Sequence, residues 1–375
     1  YGDHRDLHRL IRRQRQMCIR DRWGTGDKEY SAMKLTLYLL VGSALILAGI
    51  LGLFFATGKY TFDFDIIEKF KFSYKVQVIF FPIMFLGFGT LAGLWPFHTW
   101  SPDGHASAPT AVSMLHAGVL MKLGAYGCLF LPVWLLPEGA NFWLPFIALL
   151  TVVNIVYGSL GAFAQKDLKY IVAYSSVSHM GIVLLGIASK NSIALSGSVL
   201  QMFSHGVMTG LFFALVGMVY GRTHTRIITN MSGLAKKMPA LAAFFVLTGL
   251  CSLGLPGLSG FVAEITTFIG AYKTYPIITI ICIGSIAGFC IGLVQGIEQI
   301  VAHRYFHYGM YHLCAMILKD QLNKWLLLSL VAFGSFLLIG GVFFLFRYVV
   351  KSIRLKVLKI QGDRKKADII ISFVG

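Results

Sequence analysis

What most narrows the fold of this chain is a succession of long apolar runs, each about the length of a membrane-crossing helix, separated by short polar loops. They fall at about residues 33–57, 76–96, 110–135, 141–163, 168–188, 193–220, 239–272, 276–300 and 325–350. In hydrocarbon every backbone N–H and C=O must be satisfied inside its own segment, so runs of this length become helices. Of the 375 residues 56% are hydrophobic and only 13% charged, with a mean hydropathy of +0.71. That balance excludes an ordinary soluble domain and predicts an all-α, polytopic transmembrane bundle.

The formal net charge of +17 does not point to nucleic acid, because the excess sits at the two ends and in the loops between apolar runs. It reads as topology and contact with a lipid bilayer. The loops with Lys28 and Lys34, with Lys166 and Lys169, and with Arg222, Arg226, Lys236 and Lys237 fall on one side, which the positive-inside rule makes cytoplasmic. The other side has Lys59, Lys69, Lys71 and Lys75, diluted by Asp63, Asp65 and Glu68, then Lys190 and Lys273. Residues 1–22 carry seven Arg without an apolar run of their own. They could form a basic arm for anionic lipid or RNA, but RRQRQMCIRDR resembles sequencing-adapter read-through, and the segment is set apart from the fold as a non-native leader.

Two runs are interrupted. The second has Pro82 inside and Pro96 at its end, and the seventh contains Leu-Pro-Gly-Leu-Ser-Gly at 255–260. Proline removes a backbone donor, so the helices are expected to break at these prolines and at Gly257 beside Pro256. Two broken helices five spans apart suggest an inverted repeat with ion sites near the bilayer midplane.

Ionisable residues inside such runs are the functional candidates, since a charge at membrane depth costs a few kcal/mol or more unless it faces protein or water. Lys122 lies about twelve residues from either end of the third run, too deep to reach the interface easily. Glu264 follows the second break, where helix-end dipoles can hold a carboxylate or its proton. His179 and His205, each after a Ser in an apolar helix, suit proton relay; alone, each would read as a hydrogen-bonded core histidine. His116, six residues before Lys122, is a candidate to add a protonatable group at that end. Lys169 is either a mouth for protons or an anchor at the interface. His98, Asp103 and His105, in the irregular stretch marked by Pro96, Pro102 and Pro109, have side chains that suit zinc, but a fourth ligand is not visible, so a hydrogen-bonded network that orders a loop is expected instead. His303, His307 and His312 have partial metal spacing and carry no assignment. The six Cys (18, 128, 251, 282, 290 and 314) show no paired metal spacing. No dinucleotide fingerprint, P-loop or Cys-ligated cluster motif occurs, so no cofactor or metal is expected on this chain and redox chemistry is expected on its partners.

The runs PFHTWSPDGHASAPTAVSMLHAGVLMKLGAYG (96–127), AQKDLKYIVAYSSVSHMG (164–181), QMFSHG (201–206) and LGLPGLSGFVAE (253–264) resemble the antiporter-like membrane subunits of respiratory complex I, nearest in pattern to the M branch of bacterial NADH-quinone oxidoreductase, the counterpart of mitochondrial subunit 4. The resemblance covers roughly residues 23–285, the antiporter-like domain. It is shared with Mrp-type cation/proton antiporters and with membrane subunits of energy-converting hydrogenases. It implies that a buried row carries protons along the middle of the membrane, with Lys122 as its central lysine, His179 and His205 as its histidines and Glu264 as its terminal glutamate. It further implies that the helices before the sixth, with their helix-five glutamate, are absent here, and that Leu91 stands where many relatives have the lysine that pairs with that glutamate. Partners would be other membrane subunits of complex I, and the location the bacterial cytoplasmic membrane. Residues 286–375, with one further span and a basic tail, match poorly.

Overall fold

The computed structural model describes residues 24–286, Tyr60 and Ser232 excepted. The leader at 1–22, most of the eighth run, the ninth run, the basic tail, His303, His307 and His312, and Cys18, Cys290 and Cys314 lie outside the described residues.

Ten helices carry the architecture: α1 (Lys28–Ala56), α2 (Tyr74–Ala92), α3 (Trp100–Ser107), α4 (Thr110–Val133), α5 (Pro137–Ala164), α6 (Leu168–Ala188), α7 (Ser192–Thr223), α8 (Pro239–Ser252), α9 (Ser259–Thr274) and α10 (Pro276–Ile286). Six of them, α1, α2, α4, α5, α6 and α7, are long and apolar enough to cross a membrane. Their starts carry the expected chemistry. Pro137 and Pro239 occupy the first helical position of α5 and α8, where a missing N–H costs nothing. Asp167 and Asn191 cap α6 and α7 by accepting from Lys169 N at 2.8 Å and Ile193 N at 2.9 Å.

At the centre stands α6, buried along its whole length except at Tyr170 and Tyr174. It packs against α5 on one side and α7 on another, and α7 in turn lies along α9. Its buried polar side chains are met within the protein, as where Ser176 Oγ donates to Val172 O at 2.9 Å. Close approach depends on glycine, as is usual between helices in lipid. On α1 and α2, Gly42 and Gly87 face each other so tightly that a Cβ on Gly87 would lie 2.8 Å from the Gly42 carbonyl.

Both interruptions occur as expected, but glycine makes them. α2 runs straight through Pro82 and stops at Gly93, whose φ of 83° closes a Schellman motif in which Leu94 N donates to Gly89 O at 2.8 Å. α8 stops the same way at Gly254, φ 65°, with Leu255 N donating to Leu250 O at 3.1 Å. Only glycine takes up this left-handed conformation freely. Pro96, Pro256 and Gly257 follow in the non-helical segments. The stretch read as an irregular loop after Pro96 is also corrected, because residues 100–107 form the half-helix α3. Its start is pinned by Trp100 Nε1 donating to Thr90 O at 2.8 Å, and it ends before Pro109, which has no N–H to continue it.

The loops are tied to one another at two places. Thr25, Ala106 to Ala108, Asp167 to Lys169 and Arg226 meet at one end of the bundle. Lys190 meets Pro137 and Asn141, and Thr274 meets Ser189, at another contact point.

Candidate functional site

Each candidate side chain is held by a local feature of its helix. α4 widens over His116–Leu120 into a π-type turn, a feature that often marks a functional position in a helix. The widening directs the Met121 N–H to the His116 carbonyl, and the Ala117 carbonyl accepts the ammonium of Lys122. Lys122 is half-buried. It does not snorkel to an interface, since its head group is bound to its own helix. Its stem lies against α7, where a Cβ on Gly206 would stand 3.7 Å from Lys122 Cε and 2.9 Å from the Gly118 carbonyl. The Gly118–Gly206 crossing thus brings Lys122 to the residue next to His205.

From there the polar groups continue inward. The rings of His205 and His179 lie 5.1 Å apart, centroid to centroid. His179 Nδ1 lies 3.0 Å from Glu264 Oε1, and His179 Nε2 is 3.3 Å from Ser252 Oγ. Gln201 Nε2 donates to Glu264 Oε1 at 3.2 Å. His179, His205, Gln201 and Glu264 are 3%, 1%, 1% and 7% exposed, so this is an interior line and not a surface one. Both ring nitrogens of His205 and the Gln201 Oε1 are buried without a partner among the protein atoms described. A buried polar atom left so costs roughly 1–3 kcal/mol, so such a place suits a bridging water or a proton in transit.

Gln201, Ser252 and Gly254 were not singled out from the sequence. Gln201 had a signal: it lies one helical turn from His205 and therefore shares its face. Gly254 had none beyond the break itself, yet a Cβ there would meet Glu264 Oε2 at 2.8 Å. Gly257, φ 99°, faces open space.

The remaining candidates lie in separate surroundings. His116, 5% exposed, starts the widened turn, and its ring lies 6.2 Å from that of His105, which also meets Phe213 at 5.5 Å. His98 packs edge-on to Tyr157 at 4.9 Å. Asp103 pairs with Lys34 at 2.7 Å and accepts from Tyr170 OH at 3.5 Å. His98, Asp103 and His105 therefore point to three different neighbourhoods, and among the described residues no group of three His, Cys, Asp or Glu converges as a metal set. Lys169 stands apart from the central line, donating to Ala108 O at 2.6 Å.

A bundle of membrane-length helices, two of them interrupted, around an interior line of Lys, His and Glu defines an integral membrane protein of the antiporter-like class. Residues 16–290 match the family described as NADH:quinone oxidoreductase/Mrp antiporter, TM, and the chain belongs to that family. It is 45% identical over 248 residues to NAD(P)H-quinone oxidoreductase chain 4 1 of Synechococcus elongatus, which covers 66% of this chain and 46% of that protein. It is 40% identical over 272 residues to NAD(P)H-quinone oxidoreductase chain 4 2 of Thermosynechococcus vestitus, covering 72% and 51%. The chain thus spans about half the length of the curated relatives it matches. Its fold is similar to a chain of respiratory complex I from Thermus thermophilus with bound NADH, with a TM-score of 0.74 and 30% identity over 77% of this chain and 62% of that one. A chain of the Mrp complex from a Dietzia species shares the fold, with a TM-score of 0.67 and 20% identity over 74% of this chain and 51% of that one.

Proposed function

We propose that this chain is part of a proton-translocating membrane subunit of an NADH-quinone oxidoreductase complex, the counterpart of subunit M or 4, in a bacterial cytoplasmic membrane. The observation that carries the reading is the succession of Lys122, His205, His179 and Glu264 through the interior, with Gln201 bonded to Glu264 and the unpartnered imidazole nitrogens of His205 at its middle. Residues 23–285 form the transport domain. The redox groups belong to other subunits, the partners of this chain within the bilayer are other membrane subunits of the complex, and no nucleic acid is involved.

The chemistry follows from the donor and acceptor types. A lysine ammonium releases a proton when its surroundings no longer favour the charge, and a change of charge nearby alters that balance. An imidazole accepts at one nitrogen and gives at the other, so the tilted rings of His205 and His179, 5.1 Å apart, can hand on a proton through a bridging water. At the end of the line, His179 Nδ1 lies within hydrogen-bond distance of Glu264 Oε1, 3.0 Å, so a proton can move between them. His116 lies on the same helix as Lys122 and supplies a further protonatable group toward His105.

Lys122→Ala in the assembled complex tests this. Acidification of membrane vesicles driven by NADH should be lost while the subunit still assembles; pumping at the wild-type rate would refute the row. His116→Leu in the same assay should slow pumping, and an unchanged rate removes His116 from the path. An autonomous cation/proton antiporter is separated by reconstitution without redox partners, where only that alternative gives exchange.

A further inference from the structure

We propose that Lys169, with Arg226, is a positioning residue: the two cations grip the C-terminal end of the half-helix α3 and so fix how His105 meets His116. The inference deepens the transport reading above and rests on it for its functional readout.

The last carbonyls of a helix have no partner within it, and Pro109 offers no N–H to extend α3. Here four successive carbonyls each receive a donor from elsewhere. Ser113 Oγ donates to His105 O at 2.8 Å, Arg226 Nη1 to Ala106 O at 2.9 Å, Thr25 N to Ser107 O at 2.9 Å and Lys169 Nζ to Ala108 O at 2.6 Å. Two of the four donors are cations, the sign that complements the negative end of a helix dipole.

The gripping side is braced. Arg226 bonds Asp167 Oδ2 at 3.2 Å and Thr25 Oγ1 at 3.1 Å. Asp167 also caps α6 through Lys169 N. The two loops are tied by Leu168 N donating to Arg226 O at 3.0 Å and Ile228 N to Lys166 O at 2.9 Å. Lys169 is 4% exposed, so its ammonium depends on the carbonyl and not on bulk water.

What is held has consequences inside. His105 sits in the last turn of α3, fully buried, with its ring against Phe213 of α7 and near His116 of α4. A shift of Ala106 to Ala108 carries His105 with it. The acceptor found for Lys169 Nζ is a carbonyl at the end of another helix, so the bond ties α6 to α3, whereas the Lys122 ammonium bonds a carbonyl of its own helix. That geometry is a clamp between two helices.

Arginine and methionine separate the two roles. Arginine keeps its charge at any working pH, so it can grip a carbonyl but cannot relay a proton; methionine keeps the bulk and loses the donor. In the assembled complex, amide hydrogen exchange of the segment 100–110 is read by mass spectrometry beside NADH-driven proton pumping. Lys169→Met should raise exchange there about tenfold, the scale of one lost charge-assisted hydrogen bond, and slow pumping to match. Lys169→Arg should leave both within about twofold of wild type. If Met prevents assembly, Arg226→Met, which removes the donor to Ala106 O, is read for exchange in the same way.

Unchanged exchange in the Met variant overturns the clamp. So does an Arg variant that pumps as poorly as Met. Lys122→Ala in the same preparation keeps the two readings distinct: normal pumping there sinks the proton row, while the exchange comparison still decides the clamp.

Discussion

Replacing Gly254 by alanine probes the second break at the point where backbone and carboxylate meet. The φ of 65° costs an L-residue with a Cβ roughly 1–2 kcal/mol. The new methyl would stand 2.8 Å from Glu264 Oε2, inside van der Waals contact, so the carboxylate must retreat. Its other oxygen is held by His179 at 3.0 Å and Gln201 at 3.2 Å, and a retreat of about half an ångström takes both past useful hydrogen-bond length. One charge-assisted bond lost is about 1.5–3 kcal/mol, which corresponds to roughly a ten- to hundredfold slowing if the full loss falls on the rate-limiting transfer. Gly257→Ala is the control, since its φ of 99° strains the backbone but the methyl meets nothing. Both variants should lower the thermal midpoint of the detergent-solubilised complex, Gly254→Ala by more because it also disturbs the carboxylate contacts. Only Gly254→Ala should slow proton pumping at least about tenfold more than the control. Equal pumping by the two variants would refute the argument that the break is shaped around Glu264.

Two further outcomes follow from the same geometry. Gln201→Leu removes the amide that donates to Glu264 and should slow pumping by about tenfold, the scale of one charge-assisted hydrogen bond, while leaving assembly intact; a rate within twofold of wild type would show that Glu264 does not need that donor. Gly206→Val puts a branched side chain where a Cβ would already be 2.9 Å from the Gly118 carbonyl, so α4 and α7 must separate. About 1–3 kcal/mol of destabilisation is expected from such overpacking, read as a lower thermal midpoint with slowed pumping, and an unchanged midpoint would show that the crossing is not tight.

The positions of the helices were legible because length and hydropathy suffice in a bilayer: a run that cannot leave its backbone groups unpaired has one way to pair them. The candidate line was legible for a related reason, since Lys122, His179, His205 and Glu264 are among the few ionisable residues that interrupt otherwise apolar helices. Gln201 was not, because a neutral amide in a membrane helix carries no charge penalty to draw attention. Pro82 misled, since a helix can absorb one missing donor when neighbours pack around it, whereas Gly93 and Gly254 end their helices by a backbone geometry that composition does not announce.

From the amino-acid order alone came the membrane and the residue types able to carry protons, both of them consequences of local composition. Tertiary structure decided which of those groups meet. The 3.0 Å contact of His179 with Glu264 joins residues 85 positions apart, and Lys169 turns from the interior line to a carbonyl 61 residues away. Such pairings depend on which helix faces cross and how closely glycine lets them approach, and no single segment contains that information.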